Sequence, residues 1–489
     1  MATNTGKRQT VDSTHPTYCD AEDEWRTIED LCQGPRRVKQ VGERYLPKLK
    51  GQEQDEYRAY KLRATFVNFV KRTREALVGM LMRKGPKIEV PSEIEELTAD
   101  VTLAGHTVKD WTRMVAEQAV STGRSLTLID WSEELERPYF SHYPAREVLN
   151  WASSREDGQE VLKLLVVRET DEVLDGHNVD NEICIRRYYI DEDGFLVVEK
   201  WIGQTTESDG QGSATAGKGE TASFNLEETF MPSRRGTRLT RIPAVFHNAT
   251  HMGPEIGEAP LYDIAEINTS HYRTSADLEH GRHICGLPTP YATGVSDTGA
   301  LKLGSSTAWT AAEPDASFGF LEFTGQGLKA LTDAIEEKEK QMAILGARLL
   351  YNESKDAEAF ETVQIRANSE TAALSNISGH LSATCTQALQ WLEWWASATL
   401  QQPSDGKSSL IMNKDFMSQS MNPQMLTALT SALTTGSISV EAYYHQLEKG
   451  EIYPDEWDLE KEVAAIAERP VTTAPEPTPP NPVPPAEDE

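Results

Sequence analysis

ETVQIRANSETAALSNISGHLSATCTQALQWL, residues 361 to 392, keeps apolar side chains at three- and four-residue steps for about nine turns. Val363, Leu374, Ile377, Leu381, Cys385, Ala388, Leu392 and, just beyond, Trp395 share the stripe, with only Gly379 to weaken it. The helical spacing runs from 358 to 400 and predicts a rod of about 60 Å at 1.5 Å per residue. Helices of that length are uncommon in mid-chain.

Just upstream lies a polar break, YNESKDA (351–357), and before it GLKALTDAIEEKEKQMAILGARLLY (327–351). In this second helix Leu328, Leu331, Ile335, Met342, Leu345 and Leu349 follow a 3.5-residue spacing broken only by Lys338, a seam that calls for a partner. Residues 286–325 are turn-rich and short-stranded, ending in FGFLEFTG. They follow a further helix, PLYDIAEINTSHYRTSADLEHGRHI (260–284), where Pro260 is tolerated because an N–H at the first turn would have no partner.

Toward the N-terminus, a polar arm (1–20) precedes a helical region, 21–122. DEWRTIEDLCQG (23–34), QDEYRAYKLRATFVNFVKRTREALVGMLM (54–82, ended by Gly85 and Pro86), EIEELTADVTLA (93–104) and TVKDWTRMVAEQAVSTG (107–123) each read as one helix. From 125 to 248 the pattern changes to short segments rich in β-branched and aromatic residues: SLTLIDW, VLKLLVVRE, EICIRRYYID, GFLVVEKWI, SFNLEETF and IPAVFHN. Asp193 and Gly194 stand where a tight hairpin requires positive φ, and 203–223 is a glycine- and serine-rich loop. After the long rod come a short strand, SLIMNKDF (409–416), a helical hairpin (422–450) and DEWDLEKEVAAIAE (455–468). In the last twenty residues, 470–489, eight are proline, which predicts an extended, disordered tail. The fold class that emerges is α+β, mainly helical, in about three structural units.

Lys plus Arg number 48 and Asp plus Glu 77, a formal charge of −29. Such a balance argues against gripping nucleic acid through phosphate neutralisation. Cys19, Cys32, Cys184, Cys285 and Cys385 are odd in number and never form a CxxC pair, so neither a disulfide framework nor a zinc ribbon is indicated and a reducing compartment fits best. The first residues lack a signal peptide's apolar core, and no run approaches the roughly 18 apolar residues of a membrane span. A soluble protein is expected.

The segment HYRTSADLEHGRHICGLPTPYATG (271–294) crowds three histidines and a cysteine together, but His271 lies nine residues before His280, on the opposite side of a helix from it and His283. With Cys285 the set remains short of ligands, so no metal is expected. GSATAGKG (212–219) nearly matches a phosphate-cradling loop, yet Gly219 stands where the magnesium-holding hydroxyl belongs, and a strand follows rather than a helix. Serine-hydrolase, zinc-helix and dinucleotide signatures are absent. Neighbouring carboxylates such as Glu95 with Glu96 and Glu336 with Glu337 read as solvated helix faces. Trp391, Trp394 and Trp395, closing the rod, suit core packing and a subunit interface equally well.

The element order, together with YLPKLKGQEQDEYRAYKLRATFVNFVKRTREALVGMLMRKGPKIEVP, HYRTSADLEHGRHICGLPTPYATG, FLEFTGQGLKALTDAIEEKEKQMAILGARLL and the rod itself, resembles a tailed-phage portal protein, the head-tail connector ring. The likeness covers most of 45–468; the 203–223 insertion and both termini fall outside it. By position it implies a wing at 21–258, a first stem helix at 259–284, a clip at 285–325 and a second stem helix at 326–350. A tunnel loop at 351–357, a long wing helix at 358–406, a crown at 407–468 and a tail at 469–489 complete it.

The resemblance also implies a role without catalysis, metal or cofactor. The chain would form a ring of twelve copies at the unique vertex of a virion, assembled in the host bacterial cytoplasm. Double-stranded DNA would pass through without sequence specificity during packaging and ejection. Implied partners are the terminase large subunit, capsid and scaffolding proteins and a head-completion or tail adaptor protein, with no membrane. Asn352, Ser354 and Lys355 would face DNA from the tunnel loop. His271, Arg273, His280, Arg282 and His283 would belong to the channel-lining stem. Leu331, Ile335, Met342, Trp391, Trp394 and Trp395 are candidates for the subunit interface. Net acidity agrees, because each neutralised phosphate would tighten the hold on a strand that must slide. Alternatives are another virion structural protein, a scaffold or tail ring, and a nucleotide hydrolase built on Gly212 to Lys218.

Overall fold

In the computed structural model the described residues are 10–156, 158–203, 223–286, 289–294, 314–321, 326–350, 360–414, 416, 423–449, 461 and 464. The chain divides into two compact units, Met1–Phe416 and Met417–Glu489.

The first unit begins with helices α1 (Tyr18–Gln33), α2 (Pro35–Val41), α3 (Gln54–Arg63) and α4 (Phe69–Leu81). Trp25, Ile28 and Leu31 are fully buried on one stripe of α1, each apolar side chain contributing roughly 2 kcal/mol. Asp30 on the same helix is buried and accepts hydrogen bonds from Arg37 Nε at 2.6 Å and Tyr45 Oη at 2.7 Å. The single helix expected over 54–82 is two. Its interruption at 64–68 has a tertiary cause: the side chain of Asn268, far along the chain and fully buried, donates to Val67 O at 2.8 Å and accepts from Phe69 N at 3.2 Å. Asn68 then caps α4 by accepting from Lys71 N.

Strand β1 (Lys87–Glu89), the single-turn α5 (Ser92–Glu95) and α6 (Val108–Ser121) follow. The helix expected over 93–104 is reduced to α5 and one 3-10 turn at Glu96–Ala99. Beyond them the backbone serves other partners: Val101 O accepts from Phe140 N, and Asp100 Oδ1 accepts from Gly105 N. A reciprocal capping box starts α6, Thr107 Oγ1 accepting from Asp110 N while Asp110 accepts from Thr107 N.

Two antiparallel sheets occupy the middle of the unit. Strands β2 (Arg124–Ser132) and β3 (Arg137–Pro144) form a hairpin; β4 (Val148–Glu156), β5 (Gln159–Asp175), β6 (Asn178–Ile190), β7 (Leu196–Gly203) and β8 (Phe224–Phe230) form a five-stranded meander. The sequence reading missed β3 and β4. A positive φ of 84° at Gly194 makes the turn anticipated there. Short strands β9 (Ser233–Arg234) and β10 (Thr237–Arg238) pair with each other, and β11 (Ala244–Asn248) joins the other edge of β2.

Next come α7 (Tyr262–Cys285), the paired strands β12 (Thr289–Thr293) and β13 (Ser317–Leu321), α8 (Gln326–Leu350) and the 37-residue α9 (Phe360–Ala396). At about 1.5 Å per residue, α9 spans roughly 55 Å. Leu381, Leu389 and Leu392 are fully buried, and α9 packs on α6, β2, β3 and β11. Strand β14 (Ser409–Ile411) pairs with β1, and the first unit runs to Phe416. In the second unit, α10 (Pro423–Thr434) and α11 (Val440–Lys449) form the expected helical hairpin. Helix and strand, 47% and 25%, are both substantial, so the architecture is mixed and "mainly helical" holds only loosely. The 455–468 helix and the proline-rich tail lie outside what is described, residues 461 and 464 apart.

Candidate interaction sites

Helices α7 and α8 run antiparallel. His271 Nε2 lies 3.3 Å from Glu339 Oε1, Lys338 Nζ donates to Ser270 O at 3.4 Å, and Gly281 sits so close to Leu328 that an added Cβ would stand 2.6 Å from its Cδ2. The missing side chain at Gly281 therefore leaves room for Leu328 against α7. Lys338, which interrupts the apolar seam, turns its ammonium toward Ser270 and Thr274 of α7; burial holds its pKa below the usual lysine range. Met342 is buried in the core, Leu345 packs against it, and Leu331 and Ile335 are half-buried. The seam expected to need a second copy thus has its first partner in α7 of the same chain, because the strand pair between the helices folds them back on each other.

The proposed channel-lining residues divide. His271 is buried, edge-on to Phe69 at 5.7 Å, and faces the interior of its own subunit. Arg273 donates from Nε to Tyr45 O at 2.9 Å and from Nη2 to Arg44 O at 3.3 Å, holding the loop before α3 against α7. His271 is thus packed within its own chain, whereas Arg273 stays exposed while its guanidinium reaches the carbonyls of residues 44 and 45. His280, half-buried, meets Tyr60 edge-on at 5.4 Å, and Tyr60 Oη donates to Asp277 at 2.5 Å. Burial raises the Tyr60 pKa, with Asp277 adding to it. Arg282, paired with Glu279 at 2.9 Å, and His283 are exposed. Asn352, Ser354 and Lys355 lie outside the described residues, as do 204–222 with the Gly212–Gly219 stretch.

At the other end of α9 the tryptophans occupy different surroundings. Trp391 and Trp395 are buried in the chain's own core, Trp395 stacked on Trp131 with ring centres 6.0 Å apart. Trp394 is half-buried; its Nε1 donates to Gln401 O at 3.1 Å and Arg234 lies over its ring at 4.2 Å. The Arg234 guanidinium also donates to Ser397 O at 2.5 Å and Leu400 O at 3.2 Å, and Arg235 reaches Ala396 O at 3.4 Å. Both arginines meet carbonyls at the negative end of the long helix. Arg235 and Gly236 form the two-residue turn between β9 and β10 with φ of 53° and 81°. That left-handed pair suits a tight hairpin but costs an arginine about 1 kcal/mol.

Here a cleft of about 520 Å³ opens, lined by Arg234, Arg235, Arg238, Arg241, Trp391 and Trp394 with Leu239, Pro403 and neighbouring polar residues. Among the described residues no carboxylate lines it. Arg238 reaches outside the lining to Asp191 at 3.2 Å, and Arg241 is exposed. On a chain of net charge −29, guanidinium groups beside indole concentrate the chemistry that acidic or aromatic groups can meet. Sequence reading passed over it because the arginines lie some 150 residues from the tryptophans.

Arg124 is buried deeper. Its guanidinium sits 3.8 Å from the Trp151 ring centre and 4.8 Å from that of Phe246, and donates to Pro254 O at 2.7 Å. Desolvation pulls its pKa down to about 9, so it stays charged at neutral pH. Among the described residues no group of three or more His, Cys, Asp or Glu side chains could hold a metal ion, and no helix is long and apolar enough to cross a membrane.

Residues 260–396 match the family model described as "Domain of unknown function (DUF4055)", a span running from just before α7 to the last residue of α9. The comparison with curated proteins finds no match. Similar solved structures include the neck of the native GTA particle computed with C12 symmetry, at 11% identity over 78% of this chain and 89% of that chain, TM-score 0.37. The neck of the empty GTA particle computed with C6 symmetry gives 10% identity, 78% and 90% coverage and a TM-score of 0.39. The virion of the native gene transfer agent particle gives 10%, 85% and 94%, with 0.37. Overlaps at these TM-scores carry no argument for fold or function, which rest on the chain's own elements.

Proposed function

We propose that this chain is a portal-type subunit, a virion structural protein that forms a ring at one capsid vertex and conducts double-stranded DNA in packaging and ejection. The observation that carries the reading is the order, among the described residues, of α7, the β12–β13 pair, antiparallel α8 and then α9. That is the stem, clip, stem and long-helix succession which the sequence resemblance implies. Helix α7 keeps Arg282 and His283 exposed near its C-terminal end, where the first stem helix enters the clip. The charge of −29 suits a conduit that must release what passes through it.

In this reading the chain performs no catalysis. It docks a packaging motor, the capsid and scaffold, and a head-completion or tail adaptor protein, with twelve copies closing the ring. A heterologous contact repeated until closure gives such a ring. Electron microscopy of the purified protein should show rings with a central hole, and virions should contain few copies. A monomer under every assembly condition, or absence from the genome-entry vertex, would overturn the proposal. Substituting Lys355 should change packaging efficiency without preventing assembly, and Lys218→Ala should abolish no ATPase activity.

A further inference from the structure

Strands β5 and β6 are longer than the sheet that holds them. Strand β4 pairs with β5 only as far as Val167, and β7 pairs with β6 only from Cys184 onward. From 168 to 175 and from 178 to 183 the two strands pair with each other alone among the described residues, a two-stranded ribbon projecting past the meander. An isolated ribbon of this kind is marginal in water. This one is also apolar at its tip: Leu174 is 77% exposed opposite Val179 at 58%, and Val173 and Ile183 are exposed at 42% and 41%. Glu172 shares a face with Leu174 and Val179, while Asp171 and Glu182 stand opposite each other on the reverse face. An uncovered, acidic, apolar arm calls for a cationic partner with apolar walls.

We infer that the β5–β6 arm of one copy docks into the arginine–tryptophan cleft of a neighbouring copy, Leu174 and Val179 against Trp394 and Pro403, and Glu172 toward Arg241. The assignment rests on the ring reading above. It commits to a second copy on charge complementarity: among the described residues the cleft has no carboxylate in its lining, and the arm carries Asp171, Glu172 and Glu182 but no Lys or Arg between 169 and 183. The two surfaces lie on different parts of the subunit, so the contact is head-to-tail and propagates around a closed ring.

The test uses the full-length protein and follows assembly by sedimentation velocity. Glu172→Lys on the arm and Arg241→Glu in the cleft should each weaken assembly about tenfold, and the double variant should recover most of the loss. Circular dichroism checks that each variant is folded; Arg234 and Arg235 are left intact because they cap α9. Independently, Leu174→Cys combined with Thr240→Cys should give an oxidised ladder of linked chains that neither single variant gives. If wild type forms rings while both reversals assemble at wild-type strength and no ladder appears, the arm does not dock there and the ring reading survives. If wild type never assembles, both fall together.

Discussion

His247 Nδ1 lies 2.9 Å from Thr384 Oγ1 at the centre of the first unit, joining β11 to the long helix α9. Thr384 donates its own proton to His380 O, so it accepts from Nδ1–H. That leaves Nε2 as the acceptor for Thr127 Oγ1 at 2.9 Å, and Thr127 in turn accepts from Trp111 Nε1 at 3.2 Å. The chain of four side chains is satisfied with a neutral imidazole.

Acid should therefore loosen the core. Desolvation, reinforced by His142, holds the His247 pKa well below the ordinary value, and burial takes His142 down to about 4. An unfolded histidine takes up its proton near pH 6.5. The unfolded chain thus binds more protons below that pH, so the stability from these residues is complete above about 6.5 and is lost as pH falls toward 4. Between pH 7.5 and 5.5 the loss should be on the order of 1 kcal/mol per imidazole. Urea titrations of wild type and His247→Gln across that range should show the variant with the shallower decline.

Glu393 should be a structural carboxylate. It is buried, and accepts from Lys407 N at 3.1 Å, Ser408 N at 2.8 Å and Ser408 Oγ at 2.6 Å, tying the end of α9 to the approach to β14. Glu393→Ala strands those donors and should cost about 3 kcal/mol, with Glu393→Gln recovering part of it. Chemical denaturation measures both.

Shape rather than charge should matter at Arg124. Because the guanidinium lies between two rings, Arg124→Met should change stability by less than about 1 kcal/mol, whereas Arg124→Ala, which leaves a void, should cost about 3 kcal/mol. Comparable losses in both variants would show that the charge itself holds the site.

Gly123→Ala should destabilise by about 2 kcal/mol or more. Its φ is 77°, and an added Cβ would stand 2.7 Å from Glu258 O, a backbone atom that cannot swing aside. Thermal unfolding monitored by circular dichroism reads the change directly.

Long periodic helices were legible from the residues: α7, α8 and α9 fall within a few positions of where their spacing places them, because repeated apolar steps specify a helix wherever it packs. The acidic balance and the Asp193–Gly194 turn were equally plain, since charge and turn geometry are local. Strand β3, RPYFSHYP, escaped notice because its half-buried and buried faces both carry aromatic residues and its place depends on pairing with β2.

By itself, then, the sequence determined a very long helix, a β-rich unit before it, and a strongly acidic chain with a helical hairpin near its end. The tertiary structure alone decided that the α8 seam closes on α7, that Asn268 of α7 breaks one expected helix in two, and that His271 faces inward. It also decided that arginines 234–241 meet tryptophans 391–394 across a cleft. The reason is physical: periodicity and charge are properties of neighbouring residues. A buried polar bond or a shared cleft depends on which distant segments reach the same place, and one segment's pattern does not encode that.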